Sequence, residues 1–89
     1  MNYDLLIAEA QPFVPADVRV DMCRHPSVTE PAFWLFRTAD GRERQIGGLH
    51  LEPGGQWRAS RMNRGMPYAE KVFSTLCQAL KFAASSDYR

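Results

Sequence analysis

The sequence predicts an α+β fold: an antiparallel three- to four-stranded meander with a C-terminal helix packed on one face and a short N-terminal helix. Three features carry this prediction. Residues 17–23 alternate apolar and polar side chains, which is the period of a half-buried strand. Ala39-Asp-Gly-Arg42 lies between two strand-forming runs, a hairpin signal. After Pro67 the apolar residues recur at helical spacing.

The elements follow in order. Residues 3–10 read as a short helix, with Asn2 as N-cap and Tyr3, Leu6, Ile7 and Ala10 on one face. Pro12 ends it and Pro15 keeps the next residues extended. In the strand 17–23, Val18, Val20 and Met22 face one side and Arg19, Asp21 and Cys23 the other. His25-Pro26 and Glu30-Pro31 bracket a loop. Residues 32–38 form the next strand, and residues 43–51 return after the turn at Gly41. Ile46 is out of phase with Leu49 and Leu51 unless one residue is inserted, so a bulge is expected near Gly47-Gly48. Pro53-Gly54-Gly55 makes the next turn, and residues 56–62 a further strand with Trp57 and Ala59 opposed to Arg58 and Ser60. The last helix is expected from Pro67, which suits the first helical position. Ala69, Val72, Phe73, Leu76, Ala79, Leu80 and Ala83 line its apolar side. Phe73, Leu76 and Leu80 are expected to dock on Phe33, Leu35, Ile46 and Leu51. Residues 85–89 are expected to fray.

At 89 residues the chain suits a single domain, 1–89. Its 11 basic and 10 acidic residues nearly cancel, but the charge is graded. Residues 1–30 carry five acids against two Arg; residues 31–64 carry six Arg against three acids. The longest wholly apolar run, Ala32–Phe36, is far too short to span a membrane. Asp4 and Glu9 interrupt the first apolar stretch, and no basic region precedes it. A secretory signal is therefore not expected, and a cytoplasmic location is.

Little in the sequence points to catalysis. Cys23 and His25 form one close pair of soft ligands, but His50 and Cys77 stand alone. Zinc sites draw on two such pairs. The acids are scattered, and neither Gly47-Gly48 nor Gly54-Gly55 stands in the strand-to-helix setting of a phosphate loop. No enzyme, no metal and no cofactor is expected.

A surface is expected instead. The strand 32–38 is apolar on both sides, Phe33 and Leu35 on one and Trp34 and Phe36 on the other. Only one side can meet the C-terminal helix. The other must be covered by the N-terminal segment, by a second copy, or by a partner. Nearby, Trp57, Arg58, Arg61 and Arg64 run from a strand into a loop. Arg with aromatics serves protein hot spots and nucleic-acid contact alike. Extended geometry sends Arg58 and Arg61 to opposite faces.

The expected partner surface is thus Trp34, Phe36, Trp57, Arg58, Arg61 and Arg64. A protein partner or a homodimer is the first reading, as for an adaptor, regulator or inhibitor of phage or mobile-element type. The second is a nucleic-acid module using Trp34, Trp57, Arg42, Arg44, Arg58, Arg61 and Arg64, against which the small net charge counts. The order of elements resembles the outline of a double-stranded-RNA-binding domain. That family's Lys cluster at the start of its last helix is replaced here by Met66-Pro-Tyr-Ala-Glu-Lys71. The resemblance is one of topology, which does not carry function.

Overall fold

Two non-glycine residues with positive φ organise the hairpins. Asp40 (φ 53°) and Gly41 (φ 74°) form one turn, and Arg64 (φ 55°) and Gly65 (φ 78°) the other. Positive φ at both central positions defines the type I′ turn, whose twist matches that of the flanking strands. The computed structural model describes residues 2–85. They form α1 (Tyr3–Ala10), a 3-10 turn over Gln11–Phe13, and strands β1 (Val18–Met22), β2 (Ala32–Ala39), β3 (Arg42–Leu51), β4 (Trp57–Asn63) and β5 (Met66–Phe73). Helix α2 (Leu76–Ala84) closes the chain. All strands lie in one sheet in the order β1-β2-β3-β4-β5, each pair antiparallel.

The antiparallel meander, the N-terminal helix and a C-terminal helix are as the sequence predicts, but the last helix is shorter and the sheet has five strands rather than three or four. The correction falls on residues 66–73. They pair with β4 from Asn63↔Met66 to Trp57↔Phe73, whereas helical spacing predicts the last helix from Pro67 onward. That helix starts at Leu76, with Thr75 as N-cap accepting from Gln78 N–H at 3.3 Å. Pro67 therefore sits in an edge strand, where its missing N–H costs no ladder bond. The bulge falls between Leu35 and Phe36 on one strand and Gln45 and Gly47 on the other, leaving Ile46 as the inserted residue.

The core lies on one side of the sheet. Val18, Val20, Met22, Phe33, Leu35, Ile46, Leu49 and Ala59 are buried beneath Ala79, Leu80, Ala83 and Ala84 of α2 and Ala10 of α1. Leu80 is the deep helical contact; Leu76 is only half-buried, and Phe73 belongs to β5. Leu51 is half-buried, and Leu49 takes the interior position instead. Leu6 and Ile7 pack against this same cluster, so α1 shares the side of α2.

The C-terminus of α2 is fastened to the sheet. A Cβ on Gly47 would lie 2.8 Å from the Ala83 carbonyl oxygen and 2.9 Å from that of Ser60, so helix and strand approach through glycine. Arg61 Nε donates to Phe82 O at 2.9 Å and Arg37 Nη2 to Ala84 O at 3.2 Å. Two guanidinium groups thus meet carbonyls left open at a helix end. Ser85, expected to fray, accepts from Arg61 Nη2 at 2.7 Å and bonds Phe82 O at 2.8 Å. Residues 86–89 of the expected frayed stretch lie outside the described residues.

Candidate protein-interaction face

With both helices on one side, no described element covers the other face of the sheet. The register builds it in rows. One cross-strand row runs Asp21↔Trp34↔Gly48↔Ser60↔Glu70 through all five strands. The next carries Arg19↔Phe36↔Gln45, and another His50↔Arg58↔Val72. Strand alternation forces this arrangement. Once Phe33 and Leu35 enter the core, Trp34 and Phe36 must point outward.

Trp34 is 41% exposed. Its neighbour in the row, Gly48, has no side chain to rise beside it. A Cβ there would make only ordinary contacts, 3.6 Å from Gln45 Nε2 and 4.0 Å from Trp34 Cδ1. The result is a shallow cavity of about 320 Å³ bounded by Trp34, Gln45, Gly48, His50, Ser60 and Met62. A larger open depression of about 700 Å³ lies at the other end of the sheet, by Gln11, Asp17, Arg19, Thr38 and Glu43. Its polar walls are tied up in ion pairs, so we place the candidate contact at Trp34.

Charged pairs flank the aromatic centre. Arg19 grips Glu43 with two bonds, 2.8 and 2.7 Å, and reaches Asp21 at 3.1 Å. Its guanidinium also lies 4.6 Å over the Phe36 ring. Arg58 bridges Glu52 at 2.8 Å and Glu70 at 2.7 Å, and Ser60 Oγ donates to Glu70 at 3.3 Å. The Arg58 bond holds the Glu70 carboxyl below its ordinary range, and the Arg19 bonds do the same for Glu43. Asp21 is lowered chiefly by the backbone N–H of Met22 and secondarily by Arg19. Arg19 and Arg58 are raised further above their already high values by these partners.

The six residues expected to form the partner surface do not stay together. Trp34, Phe36 and Arg58 lie on the open face. Trp57 packs against the Phe33 ring at 5.8 Å, on the core side. Arg61 is likewise on the helix side, bonded to the end of α2. Arg64 projects from the β4–β5 turn. Arg44 stands opposite Arg37 in the β2–β3 pair. The arginines therefore form no single row, as the alternation of Arg58 and Arg61 requires. The sequence reading missed Gly48, Gln45, Ser60 and Met62. The signal for them was the register, which aligns Gly48 between Trp34 and Ser60 and is not visible until the bulge is placed.

Cys23 and Cys77 are both half-buried and not disulfide-bonded. Among the described residues no three His, Cys, Asp or Glu side chains converge to hold a metal ion. No helix among them is long and apolar enough to cross a membrane. Comparison with protein-family models, with curated proteins and with solved structures finds no match to this chain.

Proposed function

We propose that this chain is a small non-catalytic interaction protein whose open sheet face binds a protein partner around Trp34. The observation that supports this most is the composition of that face. An exposed indole stands over a glycine notch, with Phe36 and Met62 nearby and ion-paired Arg and Glu residues around them. An aromatic centre within a polar rim is the anatomy of protein–protein interfaces. Nucleic acid would favour unpaired cations in a track, and the arginines on this face, Arg19 and Arg58, already hold carboxylates. We read the surface as Trp34, Phe36, Gly48, Ser60, Met62 and Arg58, with Arg64 at its end. Trp57 and Arg61 act through the fold instead.

The test is site-specific photo-crosslinking in the cells that make the protein. A photoreactive amino acid replaces Trp34 in one variant and Lys81, exposed on α2, in another. A discrete protein adduct is expected at position 34 and not at 81. Adducts to nucleic acid, or equal labelling from both positions, would overturn the proposal.

A further inference from the structure

The two edges of the sheet are finished differently. On β1 the three outward N–H groups and one outward C=O are bonded locally. Val18 N–H donates to Pro15 O at 2.9 Å, and Val18 O accepts from Gln11 Nε2 at 2.6 Å. Val20 N–H donates to Gln11 Oε1 at 3.1 Å and Met22 N–H to Asp21 Oδ1 at 2.7 Å. The Gln11 amide occupies the place a neighbouring strand would take, which closes this edge to pairing.

The β5 edge has no such cover among the described residues. The Glu52 N–H to Gln56 O bond sets the alternation of the β3–β4 ladder. It turns the backbones of Arg58 and Ser60 toward β3, and those of Trp57, Ala59 and Arg61 toward β5. Their partners Phe73, Lys71 and Ala69 face inward. The N–H and C=O of Glu70 and Val72 therefore point out of the sheet, and no bond from outside the sheet reaches them among the described residues.

We propose that this edge pairs with a second copy of the chain, β5 against β5, antiparallel about a two-fold axis. A row of outward backbone donors and acceptors is complemented by another extended strand. That the strand is this chain's own follows from the asymmetry of the edges. One open and one closed edge per chain let self-pairing stop at two, whereas two open edges would propagate a fibre. Side chains agree with a register centred on Glu70. Val72 then lies near Tyr68 of the second copy, the residue inserted by the β4–β5 bulge, so that valine and the tyrosine ring meet where the seam ends. Each Glu70 arrives already held by Arg58 and Ser60, which offsets the repulsion between the two carboxylates. Pro67 and the bulge at Arg61/Met62 end the seam on one side. The inference does not depend on the open-face reading. It predicts one sheet of twice the width, with two Trp34 sites on the same surface.

Sedimentation velocity of the full chain from about 5 to 200 µM tests it. A concentration-dependent monomer–dimer equilibrium is expected, without larger species. Val72→Pro removes one outward N–H and no β4 ladder bond, so it should keep the circular dichroism of the wild type. It should weaken dimerisation by at least about tenfold. Val72→Glu, which adds negative charge beside the two facing Glu70 carboxylates, serves if the proline variant does not fold. Trp34→Ala should dimerise like the wild type. A wild type that stays monomeric throughout, or a folded Val72→Pro or Val72→Glu that dimerises as tightly, would overturn the proposal. Dimerisation lost in Trp34→Ala and kept in the β5 variants would instead place the self-contact on the open face.

Discussion

Arg61 lies with Nε 2.9 Å from the carbonyl oxygen of Phe82 and its guanidinium 4.0 Å above that residue's ring. The helix end and the aromatic beside it are thus held by one side chain arriving from β4. Arg61→Ala should lower unfolding stability by about 1.5–3 kcal/mol, the range for hydrogen bonds to a charged group. Arg61→Lys should recover only part, because an ammonium lacks the planar fork that both bonds and stacks. Urea denaturation at constant m-value measures both.

Gly47 and its neighbour Gly48 should respond oppositely to the same substitution. Gly47→Ala drives a methyl into two backbone carbonyls that cannot swing away. It should cost at least about 1–3 kcal/mol, as overpacking does. Gly48→Ala makes only ordinary contacts and should leave the fold intact while partly filling the notch beside Trp34. Thermal melts of the pair distinguish them. Equal melting temperatures would contradict the helix–strand contact described.

Leu80 and Leu76 rank the helix contacts. Leu80 is fully buried and Leu76 only half-buried. Leu80→Ala should cost about 2–5 kcal/mol, a large share of a small domain's stability. Leu76→Ala should cost clearly less. Denaturation midpoints that reverse the order would show that α2 sits in a different rotation.

Acid should loosen the open face. Asp21, Glu43 and Glu70 all titrate below their ordinary values in the folded chain. A depressed folded-state value means stabilisation that is present above the unfolded value and lost as pH falls through the folded one. Stability should therefore be level near neutrality and decline across the acidic carboxylate range. Because Glu43 and Glu70 are exposed, the decline should be modest and reduced by salt. Denaturation of Glu43→Gln/Glu70→Gln against pH should show a shallower slope than wild type.

Nucleic acid should bind weakly. Titration of mixed-sequence duplex and single strands at two salt concentrations is the measurement. Sub-micromolar binding that falls about tenfold or more between 50 and 200 mM salt, and vanishes in Arg58→Glu/Arg64→Glu, would favour the nucleic-acid reading over the protein one.

Much of this architecture was legible in the residues, and the failure at β5 is instructive. Ala69, Val72, Phe73 and Leu76 satisfy helical spacing, while Ala69, Lys71 and Phe73 share one side of a strand; short segments meet both periods. Two local signals could have decided it. Arg64-Gly65 repeats the turn chemistry of Asp40-Gly41, and Thr75-Leu-Cys-Gln78 is the pattern of a helix start with its reciprocal cap. For the site, alternation placed Trp34 and Phe36 outward and parted Arg58 from Arg61. Which face α1 would take was written in β1. Its apolar set faces the core, and its charged residues Arg19 and Asp21 are register partners of Phe36 and Trp34. That pairing required the register, which depends on a bulge whose position the sequence marked only approximately.

The strand order of the sheet is the order of the chain, and this bears on how the molecule assembles. Each strand meets only strands adjacent in sequence, and two of the four connections are two-residue turns. Closing a short loop forfeits little entropy, so the sheet can zip hairpin by hairpin, without waiting for distant segments to find each other. The exception is the docking of α1 and its following turn against α2, which joins the two ends of the described chain. In folding time that contact should come after the ladder it lies on. The rate of collapse should be governed by the β2–β3 and β4–β5 turns, and the closing of the core by the meeting of the two helices.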